Sequence, residues 1–219
     1  MQRIAIVDHG LCNVDSMWRA VEECGAKGDV TSDPADLAHA DKIVLPGVGS
    51  FADAMDVLVR TGLAEAIREH VVVNGVPLLG VCLGMQLLAN AGTEVRSTAG
   101  LGLIDADVVR LVPGGTGAIG ATGATCATDR AERIPHVGWN EVDPRFDHAV
   151  FAGIPAGADF YFVHSYHVRC NDPSDVLATT PYCGGFTSAV ARGRIVGTQF
   201  HPEKSQVHGL RLLRNFVAW

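Results

Sequence analysis

An open, largely parallel, twisted α/β sheet with helices on both faces is the fold this sequence predicts, on three observations. Short apolar runs of the buried-strand kind (Ile4-Ala5-Ile6-Val7, Lys42-Ile43-Val44-Leu45, Val76-Pro77-Leu78-Leu79) alternate with segments whose apolar residues recur at helical spacing. The runs lead into glycine-bearing turns: Asp8-His9-Gly10, Pro46-Gly47-Val48-Gly49 and Gly80-Val81-Cys82-Leu83-Gly84. The last of these passes directly from strand to helix through a cysteine flanked by glycines. Strands alternating with helices bury both faces of a parallel sheet, and ligands of such sheets sit beyond the carboxyl ends of the strands. Cys82 and Gly47–Gly49 both fall at such ends, so one crevice is expected to hold them.

The whole chain reads as a single domain, 1–219. At 219 residues, 47% hydrophobic and 19% charged, it is long enough for a sizeable core and has the composition of a globular enzyme. A net charge of −7 with no basic run argues against nucleic acid. No stretch reaches the ~18 uninterrupted apolar residues of a membrane span. The start, Met1-Gln2-Arg3-Ile4, enters a strand without a signal peptide, and six cysteines lie scattered without a CxxC. A reducing cytoplasm is the expected location, with no metal and no cofactor.

In chain order, Asn13 is a candidate cap for a helix carrying Val14, Met17, Trp18 and Val21, which Gly25 ends. Helices are expected over 51–59 and 63–73, then the strand before Cys82, then a helix over 85–89. Residues 102–112 and 136–142 read as strands of one sheet, separated by a Gly/Ala/Thr loop over 113–128 with little apolar surface to bury. Further strands are expected over 160–168 and 176–180. A hairpin follows, 188–191 with 195–200, turning at Arg192-Gly193-Arg194. The last helix runs over 206–218 with Leu210, Leu213 and Val217 on one face.

The chemistry centres on Cys82. Strand, sharp turn and helix around G-x-C-x-G is the nucleophile-elbow pattern with cysteine for serine. The turn lifts the sulfur to a helix N-terminus, where free N–H groups favour thiolate. A buried cysteine that only fills space is the alternative, but filler needs no glycine on both sides. Phe200-His201-Pro202-Glu203 supplies the rest. In an extended segment, side chains two apart share one side, so Glu203 reaches the imidazole of His201 and orients it to take the Cys82 proton. Alone, His-Pro-Glu is an ordinary surface turn; beside a cysteine elbow it completes a triad.

Gly80-Val81-Cys82-Leu83-Gly84-Met85-Gln86 together with Phe200-His201-Pro202-Glu203-Lys204-Ser205 resembles the triad class, class I, of glutamine amidotransferases. Pro46–Gly49, Pro135-His136-Val137-Gly138-Trp139-Asn140 and Tyr161-Phe162-Val163-His164-Ser165-Tyr166 narrow the resemblance to the glutaminase subunits of imidazole glycerol phosphate synthases, from histidine biosynthesis. It covers nearly the whole chain and implies a flavodoxin-like sheet. It further implies glutamine hydrolysis through a γ-glutamyl thioester on Cys82, with His201 as general base and then acid, and Glu203 orienting it. The oxyanion is then held by Leu83 N–H and by one donor from Gly47-Val48-Gly49. Gln86, Glu94, His164, Ser165 and Tyr166 are implied to grip glutamine, although Gln86 and His164 read equally as satisfied interior polar groups. The implied partner is a (β/α)8-barrel cyclase that receives ammonia, with Asn13, Trp139, Tyr161 and Lys204 at the interface.

Two features depart from that pattern: Cys12 before and Asp15 after Asn13, and the long loop over 113–128. They leave a second reading, a paralogue feeding ammonia to another synthase, such as one that amidinates a surface sugar. A third, a non-catalytic regulatory relative, is opposed by the presence of His201-Pro202-Glu203.

Overall fold

The computed structural model describes residues 1–114 and 132–219. The expected loop over 113–128 lies outside them apart from Pro113 and Gly114. The elements in chain order are β1 (Arg3–Val7), α1 (Val14–Glu23), β2 (Lys27–Thr31), β3 (Lys42–Gly47), α2 (Phe51–Arg60), α3 (Leu63–Arg68), β4 (Leu78–Cys82), α4 (Leu83–Leu87), β5 (Ala91–Gly92), β6 (Thr98–Ala99), β7 (Ala106–Arg110), β8 (His136–Pro144), β9 (Ala158–His164), β10 (Tyr166–Cys170), β11 (Val176–Thr180), β12 (Phe186–Arg192), β13 (Ile195–Thr198) and α5 (Gln206–Ala218).

The core of the sheet runs β2-β1-β3-β4-β13, with every neighbouring pair parallel. Antiparallel strands extend it through β12, β10 and β7 on one path and through β11, β8 and β9 on another. Alternation along each parallel strand divides the core in two. Ile4, Ile6, Val44, Leu79 and Val81 face α1 and α5, packing on Met17, Val21, Leu212 and Phe216. Ala5, Val7, Ile43, Leu45 and Leu78 face α2, α3 and α4, packing on Phe51, Leu58, Ile67 and Leu83. These strands are apolar without a break because neither face meets water.

The local signals mostly act as read. Asn13 caps α1 by accepting the Ser16 N–H at 3.4 Å. Asp15, unexpected for its charge, sits in the first turn of α1, where an acid complements the helix dipole. One strand was not expected, and three expectations need correction. The stretch 27–31, rich in Lys, Gly and Asp, is an edge strand that no apolar pattern announced. The expected single strand over 160–168 is broken at Ser165, because β9 pairs with β8 while β10 pairs with β7 and β12. The strand over 102–112 is confined to 106–110. On α5 the buried face is Gly209, Leu212, Leu213 and Phe216, while Leu210 and Val217 are only partly covered. No described helix is long and apolar enough to cross a membrane.

Candidate active site

Cys82 ends β4 at φ 55°, ψ −109°, a left-handed conformation that a residue with a Cβ adopts only under constraint. The flanking glycines supply that constraint's clearance. A Cβ on Gly80 would stand 2.7 Å from the Gly84 carbonyl oxygen, and one on Gly84 would overlap the Leu45 carbonyl on β3. The elbow is therefore wedged between β3 and α4, and its sulfur is held at the carboxyl edge of the sheet.

The strand next to it, β13, ends just before His201, which brings the imidazole to the same edge. His201 Nδ1 lies 2.8 Å from Glu203 Oε1, and both side chains are buried. With Nδ1 committed, Nε2 is buried and without a hydrogen-bond partner among the described residues. Burial by itself pulls the His201 pKa down, but the Cys82 sulfur and the Glu203 carboxylate outweigh it and raise it to about 10. A ring this basic is suited to taking a thiol proton. The His201 turn is itself clamped: its N–H donates to the Tyr161 carbonyl at 2.9 Å, and Ser205 Oγ donates to its carbonyl at 2.6 Å while accepting the Tyr161 N–H at 3.0 Å.

A cleft of about 460 Å³ opens over Cys82, lined by Val48, Gly49, Ser50, Leu83, Gln86, Glu94 and Val163–Tyr166. It unites the expected nucleophile with every expected glutamine-gripping residue. Glu94 also accepts the Phe51 N–H at 2.8 Å, so one carboxylate caps α2 and faces the cleft. The Gln86 amide donates to the Tyr166 carbonyl at 2.9 Å and to Gln199 Oε1 at 3.0 Å. It is thus both a satisfied interior group and a lining residue.

Of the expected oxyanion donors, Leu83 begins α4, where no intrahelical acceptor awaits its N–H. On the opposite side, Gly47 lies beside Cys82 in the β3–β4 register, but the Val48 N–H donates to the Leu11 carbonyl at 2.8 Å. Gly49 holds φ 108°, a conformation open to glycine.

Trp139 and Tyr161 pair edge to face at 5.9 Å on the outer face of β8 and β9, beside the exposed Val137 and Val163. Lys204 is exposed in the turn after His201, and Asn13 at the start of α1.

Three residues escaped the sequence reading. Gln199 places Nε2 3.7 Å from Cys82 Sγ, and its signal was its position two before His201, on the same side of an extended segment. His9 is buried with Nε2 2.9 Å from the Pro46 carbonyl, bracing the strand that carries Gly47; burial lowers its pKa, opposed by that hydrogen bond. His136, quoted for its motif and given no role, meets His164.

Known proteins resemble this chain along nearly its whole length. The family described as "Glutamine amidotransferase class-I" matches residues 5–219. The chain is 43% identical over 227 residues to "Imidazole glycerol phosphate synthase subunit HisH" of Brucella suis biovar 1, covering 99% of each chain. It is 44% identical over 216 residues to the protein of the same name from Moorella thermoacetica, covering 99% of this chain and 94% of that one. Among solved structures, a glutamine amidotransferase from Thermotoga maritima aligns at TM-score 0.60 and 20% identity, over 92% of this chain and 76% of the other. PurLQS, also from Thermotoga maritima, aligns at TM-score 0.72 and 18% identity, over 100% and 99%; both share the fold. The chain belongs to the class-I glutamine amidotransferase family.

Proposed function

We propose that this chain is the glutaminase subunit of an imidazole glycerol phosphate synthase, releasing ammonia from glutamine for a cyclase partner in histidine biosynthesis. The observation that carries the chemistry is Cys82 lining the cleft together with the buried His201–Glu203 pair, whose imidazole pKa the Cys82 sulfur helps to raise. The relatives named HisH, alike over the whole chain, support the pathway over a paralogue serving another acceptor.

In this reading His201 Nε2 takes the Cys82 proton and the sulfur attacks the glutamine amide carbon. The tetrahedral oxyanion accepts the Leu83 N–H and a donor from Gly47–Gly49. His201 then returns the proton to the departing nitrogen as the thioester forms. Water, deprotonated by the same ring, releases glutamate. Glu203 holds the ring's tautomer throughout. Gln86, Glu94, His164, Ser165 and Tyr166 bind glutamine.

Ammonia released into water is protonated and lost as a nucleophile, so a docked acceptor is required. The word "subunit" in the relatives' name fits a partner, and a (β/α)8-barrel cyclase is the partner we assign. Its docking face is Trp139 and Tyr161 with Asn13 and Lys204, a cluster with the aromatic anchor typical of interfaces. The Tyr161 carbonyl and His201 N–H bond would bring that face within one residue of the triad.

The test is glutamine hydrolysis by the chain alone, with the cyclase, and with the cyclase plus its ribonucleotide ligand. Hydrolysis that rises in the third mixture supports the reading. An unreactive Cys82 in all three, probed with a glutamine-like diazo-ketone, overturns it.

A further inference from the structure

At the cleft wall the imidazole of His164 meets a second one, His136, that the reaction above does not use. His136 on β8 and His164 on β9 are buried, with His136 Nδ1 3.0 Å from His164 Nε2. His164 Nδ1 lies 2.8 Å from the Tyr166 carbonyl oxygen, which can only accept, so Nδ1 carries a proton. In a neutral ring His164 Nε2 is then an acceptor, and the shared proton belongs to His136 Nδ1. That leaves His136 Nε2 as an acceptor, and Asn140 Nδ2 stands 3.4 Å from it. The Asn140 amide is oriented independently, because its Oδ1 accepts the Glu141 N–H at 2.9 Å. A carbonyl at one end and a pinned amide at the other thus demand the same direction of donation.

Burial keeps both rings neutral. It lowers His136 to about 4, against a small opposing pull from Glu132, and His164 to about 3, against its bond to Tyr166. The Tyr166 carbonyl that ends the chain also accepts the Gln86 amide. His164, Ser165, Tyr166 and Gln86 all line the cleft.

We propose that His136 is a positioning residue for glutamine: its Nδ1–H fixes the His164 tautomer and, through it, the wall His164–Ser165–Tyr166 of the glutamine cleft. This rests on the glutamine reading above. Without that donor, His164 either keeps an unpaired buried Nε2 or moves its proton to Nε2 and loses the bond to Tyr166. The first leaves a buried acceptor unpaired, at a cost borne by the packed wall, and the second breaks the wall's own hydrogen bond. His136 has a second contact that must be separated from the first, since its ring stacks on Tyr182 (centroids 3.9 Å, 17°) and on Phe162 (4.9 Å, 25°).

His136→Phe keeps a ring in the stack and removes the donor; His136→Asn keeps an N–H near the Nδ1 position and removes the ring. Both are measured for glutamine hydrolysis in the complex with the cyclase and its ligand. For His136→Phe, glutamine KM should rise about tenfold with kcat within about threefold. His136→Asn should return KM close to wild type. In the wild-type chain, ¹⁵N-edited spectra should show slowly exchanging Nδ1–H signals from both histidines at neutral pH. A wild-type KM in His136→Phe, equal impairment in both variants, or no such signals would overturn the proposal. If His136→Phe does not fold, the spectra and His136→Asn decide. A wild-type complex that hydrolyses no glutamine refutes the glutamine reading instead, and the spectra still report on the pair.

Discussion

The Val48 N–H donates to the carbonyl of Leu11 at 2.8 Å, so in this conformation it faces the loop after β1 rather than the Cys82 cleft. For the Val48 N–H to serve as an oxyanion donor, its peptide must therefore turn. One aligned donor is worth about 10²–10³ in rate, so such a turn is sufficient to gate hydrolysis on the partner's state. Gly49 holds φ 108°, where a Cβ meets no neighbour but strains the backbone itself. Gly49→Ala should destabilise the resting conformation by about 1–3 kcal/mol. The ratio of ligand-activated to basal glutaminase rates should then shrink about tenfold or more. An unchanged ratio would place the gate elsewhere.

Cys82→Ala should abolish glutamine-dependent synthesis by the complex and leave ammonia-dependent synthesis intact. In the proposed reaction the sulfur acts only in making ammonia, while the acceptor chemistry belongs to the partner. Parallel assays with glutamine and with ammonium salt separate the two; loss of both in an assembled complex would make Cys82 structural.

Glu203→Gln should lower kcat for glutamine about 10²-fold or more, because His201 loses the acceptor-only carboxylate whose charge fixes its tautomer and stabilises its protonated form. The pH dependence has a definite sign. His201 is raised from 6.5 to about 10 in the folded chain, so its proton-linked stabilisation is complete below 6.5 and disappears as pH rises towards 10. The carboxylate is one cause of that rise. The stability difference between wild type and Glu203→Gln should therefore be largest near pH 6 and narrow by pH 10. Denaturant midpoints across that range check it; a gap that widens with pH would contradict the assignment.

Trp139→Ala should weaken cyclase binding by about 2 kcal/mol, roughly 30-fold in Kd, as for a central aromatic anchor. The chain's own melting temperature should move little, because Trp139 is half exposed on the outer face of β8. Calorimetric titration and a thermal melt of the variant test both statements.

The parallel core, the elbow and the pairing of His201 with Glu203 were legible in the chain alone. Each depends on short-range rules: unbroken apolar strands such as Ile43–Leu45, glycines where backbones touch around Cys82, and the two-residue offset between His201 and Glu203. Tertiary structure alone decided the rest. Lys27–Thr31 becomes a strand because β1 offers its edge to a polar partner. The break at Ser165 exists because β9 and β10 pair with different strands. The Val48 N–H is committed to Leu11 across 37 residues, and His136 donates to His164 across 28. Hydrogen-bond direction between distant groups leaves no periodicity in the chain: it is set by which backbones the packed sheet brings within 3 Å, and a buried polar group must take the partner it finds there.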